Sequence, residues 1–155
     1  MYPHVQKRPE YPPGGLMQLQ DFVKDGELRN PTMLGPDGEE CLIVVKNGTT
    51  TGITVGRATG IESFVRQYAG KDFTIHSTSM EIAVHSYSPK DEAFSVPRDS
   101  GSVVADVNGR IVGLLTGGSG ITGSTDITYV SPYYFLNERV KRAFPNSHLF
   151  PIANA

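Results

Sequence analysis

Two runs of β-branched and apolar residues, 103–107 and 110–115, meet across the dipeptide Asn108-Gly109, and no other feature restricts the fold of this chain as much. Asn-Gly supplies the two positive φ values that a tight hairpin needs at its centre, so the segment predicts an antiparallel pair with a two-residue connection. Directly before the first run stands Asp99-Ser100-Gly101-Ser102, a turn presenting a small hydroxyl, with Gly101 free of the Cβ that would obstruct the bend. The hairpin thus holds a serine at its mouth.

The remaining periodicities belong to the same class. Residues 42–45 read as a continuous apolar strand, and across a Gly-Thr-Thr-Thr-Gly turn Ile53, Val55 and Ala58 alternate with Thr54, Gly56 and Arg57. Met80, Ile82 and Val84 alternate with Glu81, Ala83 and His85, and a last strand is expected around 126–130. Between these, Ile61, Phe64, Val65 and Tyr68 fall at helix-like spacing, which leaves loop and short helix both open. Ser131 as N-cap and Pro132 at the first helical position predict a helix from Pro132 to about Ala143, with Lys141 and Arg142 in its last turn and Pro145 as its stop. With 17 glycines and 11 prolines in 155 residues, the chain suits one turn-rich, strand-rich domain. Residues 1–40 read as an extended connector with one short strand at 16–23, residues 41–145 as the β-domain with its terminal helix, and residues 146–155 as a tail.

Composition narrows the function. A formal net charge of −2 gives no electrostatic case for nucleic acid or an anionic membrane. Cys41 is the single cysteine, so no intrachain disulfide can form. Residues 1–9 carry no apolar signal region, and no apolar run reaches membrane length, so neither an export signal nor a membrane partner is expected. Nothing in the sequence suggests a metal or another cofactor.

Asp99-Ser100-Gly101 with its hairpin, together with residues 42–56 and 128–133, resembles the trypsin/chymotrypsin-like serine peptidases, fungal trypsin-like proteins among them. The family pattern is Gly-Asp-Ser-Gly-Gly, and the resemblance extends from Cys41 to Phe144. It implies an all-β fold: a six-stranded antiparallel Greek-key barrel, the C-terminal one of two, closed by a C-terminal α-helix. It makes Ser100 the nucleophile, assigns the oxyanion hole to the backbone N–H groups of Arg98 and Ser100, and lays an extended substrate along Thr116, Gly117 and Gly118. Phe94 would sit at the base of the primary specificity pocket and Asp126 near its wall. The sequence departs from the pattern at Arg98, where the family has glycine; the arginine, preceded by Pro97, is expected to turn its N–H away from the cleft.

A serine hydroxyl needs a histidine to take its proton and a carboxylate to orient that histidine. In the family both come from the upstream barrel. His4, His76, His85 and His148 read as surface or structural residues, Asp21, Asp25, Asp37 and Asp91 as solvated turn residues, and Lys46, Arg57, Arg66 and the cations of residues 139–142 as a solvated face. The chain is therefore expected to be the C-terminal half of a serine endopeptidase, inactive alone, with a non-catalytic peptide- or protein-binding domain as the alternative. Its partners would be a peptide or protein substrate and either a missing N-terminal barrel or a second copy covering an apolar patch near Ser100.

Overall fold

Six consecutive buried residues, from Cys41 to Lys46, form the centre of the fold, and a run buried on both faces needs partners on both. In the computed structural model, which describes residues 16–69, 74–88, 90–120 and 127–149, this run lies in strand β2, Glu40–Gly48. The elements in chain order are α1 (Asp25–Arg29), β1 (Met33–Leu34), β2, β3 (Gly52–Ala69), β4 (Thr74–Ser86), β5 (Val103–Asp106), β6 (Ile111–Ser119), β7 (Ile127–Pro132) and α2 (Tyr133–Ala143). The period of two along a strand sorts β2 into two sets. Leu42 and Val44 join the main core with Val23, Leu28, Ala58, Val84, Phe94, Val104, Val112 and Val130, while Cys41 and Ile43 pack with Tyr87 on the other face.

The strands form one antiparallel sheet in the order β1-β2-β3-β4-β7-β6-β5, so the protein is all-β with a short C-terminal helix. β2 also pairs with β5, Val45 opposite Ala105, so the hydrogen bonding from β2 to β7 returns to its start. The β5–β6 connection differs from the expected two-residue turn. Asp106 and Arg110 close a three-residue loop in which Gly109 takes φ 80°, the common alternative for a hairpin. The buried Asp106 carboxylate accepts from the N–H groups of Asn108 and Arg110 and from Arg110 Nε at 2.9 Å. An acid placed to satisfy the loop selects the wider connection.

Residues 61–68, whose spacing fits a loop or a short helix, are strand. β3 continues to Ala69 beside β4, Phe64 opposite Met80, after a register shift between Ala58 and Glu62 where Gly60 takes φ 82°. Pairing with a partner strand outweighs a short 3.6-residue spacing here. The result is a ribbon on which Ile61, Phe64, Tyr68 and Met80 are exposed.

Two further corrections concern the ends. The connector carries α1, and its residues 20–23 run parallel to the β5–β6 turn, with Gln20 N–H donating to Gly109 O and Val23 N–H to Ile111 O. Val23 and Leu28 thereby enter the core. α2 starts with Pro132 as N-cap and no side-chain cap, because the Ser131 hydroxyl donates to the buried Glu81 at 2.8 Å instead. No residue of α2 is fully buried; Phe135 and Val140 are exposed on it, and so is Phe144 at its C-cap. Among the described residues, no helix is long and apolar enough to cross a membrane.

Candidate active site

Val96-Pro97-Arg98-Asp99 forms a type II turn. The Asp99 N–H donates to Val96 O at 3.1 Å, Pro97 occupies the second position, and Arg98 has φ 85° at the third. Proline presets the second position, but the third calls for φ > 0, which suits glycine and costs another residue about 1–3 kcal/mol. Such strain persists only where surrounding contacts over-determine the geometry, and the side chain of Asp99 supplies them.

That carboxylate is buried and lies against the β2–β3 turn. It accepts from Thr50 N–H (2.8 Å), Thr51 N–H (3.3 Å), the Thr51 hydroxyl (2.7 Å) and Val96 N–H (3.2 Å), and it pairs with Lys46 Nζ at 3.4 Å. Both members of the ion pair have fully buried side chains, so Lys46 is no part of a solvated face. Lys46 Nζ also donates to the Thr51 hydroxyl and to Gly52 O, and it lies 5.5 Å from the Phe94 ring centroid. Gly48 leaves the space: a Cβ there would stand 2.4 Å from Asp99 Oδ1. Burial alone would raise the Asp99 carboxyl, but the hydrogen bonds from Thr51, Thr50 and Val96 outweigh it and hold the group well below the ordinary carboxylate range. For Lys46, burial dominates and lowers the ammonium, with Asp99 opposing it.

Three threonine hydroxyls anchor the strap before the turn. Thr54 donates to Phe94 O at 2.7 Å, Thr50 to Pro97 O at 3.2 Å, and Thr128 lies 2.7 Å from the Ser95 hydroxyl. The Thr50 contact also fixes a direction. In a trans peptide N–H and C=O point opposite ways, and the chain has no cis bond among its described residues, so the Arg98 N–H faces away from Thr50. The arginine has taken up the positive φ that glycine would have supplied.

The cleft has a volume of about 320 Å3 and is lined by residues 95–97, Ser100, Leu115 and residues 117–120. Gly101 N–H donates to Leu115 O and Leu115 N–H to Ser102 O, which fastens the serine turn to β6. Beyond Leu115, β6 pairs with β7 on one side, while its pairing with β5 ends at Leu114. Its other edge therefore runs along the cleft. Gly117 and Gly118 line it. Thr116 does not: it is skipped in the β6–β7 register, and its hydroxyl is directed to Glu81 (3.3 Å) and Tyr129 O (3.2 Å). Phe94 is a core residue, 1% exposed, and its neighbour Ser95 lines the cleft in its place.

Ser100 is exposed, and its hydroxyl makes no hydrogen bond to a described residue. The backbone N–H groups of Arg98 and Ser100 likewise have no acceptor among the described residues, whereas the intervening Asp99 N–H is bonded to Val96. No described lining residue is titratable. His85 lies in β4 opposite Arg57, and burial followed by the Arg57 charge lowers its imidazole; His148 is exposed. His4, Asp126 and the side chain of His76 lie outside what is described. Asp25, in the first turn of α1, pairs with Arg29, and Asp37 pairs with the largely buried Arg57, so neither carboxylate stands alone in water. The described residues contain no group of three or more His, Cys, Asp or Glu that could hold a metal ion.

Sequence reasoning missed the Lys46–Gly48–Thr50–Thr51 cradle, although a signal was present. Lys46 is in phase with Leu42 and Val44, and a lysine on the inward face of a strand requires a buried partner. Comparison with known protein families and with curated proteins finds no match to this chain.

Proposed function

We propose that this chain is a peptidase-type domain, the C-terminal half of a trypsin-like serine endopeptidase, in which β2 to β7 constitute a six-stranded Greek-key barrel and Ser100 is the nucleophile. One observation carries the reading: the backbone N–H groups of Arg98 and Ser100 have no acceptor among the described residues, in a turn that carries the exposed Ser100 hydroxyl into a cleft along the β6 edge. Donors fixed in this way suit the oxyanion of an acyl-transfer step, and the edge at Gly117 and Gly118 suits an extended peptide. The activating histidine and aspartate belong to a partner barrel, so this chain alone does not hydrolyse peptides. The exposed apolar residues Phe135 and Val140 of α2, with Phe144 at its C-cap, are a surface such a barrel could cover.

A second reading, a non-catalytic peptide-binding domain, is favoured by the absence of a titratable side chain from the described cleft lining. A serine-directed fluorophosphonate tests both. The chain alone should label no faster than its Ser100→Ala variant, and rapid labelling at Ser100 would show that the chain supplies its own base, against both readings.

A further inference from the structure

We propose that the β3–β4 ribbon is a dimerisation arm for a second copy of this chain, the two β3 strands pairing antiparallel about a two-fold axis at Phe64, independently of what Ser100 does. β3 meets β2 only as far as Ala58, and β4 meets β7 only at residues 82–84. From Glu62 to Ala69 and from Thr74 to Glu81 the two strands therefore have only each other as strand partners among the described residues. A two-stranded ribbon is marginal in water by itself, and an uncovered edge is a template for another strand. The side chains do not blunt it. Phe64 and Tyr68 are more than half exposed, and Phe64 stands opposite Met80 on the face that continues into the core at Ile82.

The charges along β3 identify the occupant, because they are complementary to themselves. An antiparallel pair about Phe64 sets Glu62 of one copy opposite Arg66 of the other, and the two-fold repeats that pairing on the far side of the axis. An axis at Arg66 would bring two guanidinium groups together and one at Glu62 two carboxylates, while an axis at Val65 matches neither charge with its opposite. Glu62 already receives Arg29 at 3.0 Å and the Tyr134 hydroxyl at 3.4 Å, which hold the carboxylate at the root of the ribbon and leave it acceptor sites for a further cation. Arg66 is held over the axis residue, its Cζ 5.2 Å from the Phe64 ring centroid. The row across the resulting four-stranded sheet runs Met80, Phe64, Phe64, Met80, so the exposed rings cover one another. β4 has no such pattern: Ser77, Thr78 and Ser79 carry no charge to set a register.

The test is made on the whole chain. Light scattering at about 100 µM should give twice the 16.8 kDa of one copy. Oxidation of Phe64→Cys with copper phenanthroline should link the copies covalently, because facing residues of an antiparallel pair have Cα atoms about 4.5–5.5 Å apart, within disulfide reach. Gln67→Cys lies about 20 Å from its counterpart in this register and should not link; the native Cys41 is buried and takes no part. Arg66→Glu, a change at an exposed position, should weaken the dimer roughly tenfold. A monomer at that concentration would overturn the proposal and leave the ribbon to a different protein. A dimer that Gln67→Cys links and Phe64→Cys does not, or one that Arg66→Glu leaves unchanged, would have another interface or register and would overturn it as well.

Discussion

The carboxylate of Asp99 and the hydroxyl of Ser100 are one residue apart and live under opposite conditions. Asp99 is 1% exposed and receives four hydrogen bonds and an ammonium ion; Ser100 is exposed and receives none from the described residues. The difference teaches how an open site can be rigid. The Asp99 carboxylate fixes the turn from its buried side, so its bonds to Thr50, Thr51, Val96 and Lys46 make no demand on the Ser100 hydroxyl. The positive φ of Arg98 is the visible cost of that division.

The comparison breaks most completely at Lys46. Replacing it as Lys46→Met leaves a buried carboxylate without its cation, and the expected loss is about 3–5 kcal/mol in urea denaturation; a loss under about 1 kcal/mol would show that the hydrogen bonds from Thr50, Thr51 and Val96 suffice alone. Acid attacks the same side more gradually. Because the native Asp99 carboxyl lies below its unfolded value of about 3.9, its contribution is complete above that pH and is lost as the pH falls through the native value. Stability should thus decline from about pH 4 downward, and Asp99→Asn should flatten that part of the curve even though it lowers stability at neutral pH. An unchanged acid slope in the variant would assign the decline to other carboxyls. The smallest effect sharpens the comparison instead. Arg98→Gly removes the Cβ from a left-handed position and should gain about 1 kcal/mol, read as a higher urea midpoint at constant slope; no gain would mean that the arginine is not strained there.

What could be read from the sequence divides along similar lines. Alternating strands, the hairpin before and after residue 108 and the terminal helix were legible because local periodicity and turn chemistry specify them. The placement of the serine beside a glycine-lined strand edge was legible too, since Gly101, Gly117 and Gly118 mark where backbone must bend or be approached. The β3–β4 ribbon was not, because the spacing of Ile61, Phe64 and Tyr68 fits a helix until a partner strand is supplied. Nor was the cradle under Asp99: Lys46 and Thr50 lie about fifty residues from it, and only the folded β2–β3 turn brings them together. Phe94 and Thr116 were misplaced for a related reason. Both are adjacent to the cleft in sequence, but Phe94 turns into the core from the segment between β4 and β5, and Thr116, in β6, directs its hydroxyl across the sheet to Glu81.

The parallel contact between residues 20–23 and the β5–β6 turn has a mechanical consequence. A pull applied through the amino end would be taken up in shear by the bonds from Gln20 to Gly109 and between Asp21, Val23 and Ile111, all at the tip of the hairpin. The serine turn is fastened to the opposite end of that hairpin, at Ser102 and Leu115. A load or tether arriving from that direction would reach the cleft only after the tip had given way, so the site is insulated from whatever precedes it in the chain.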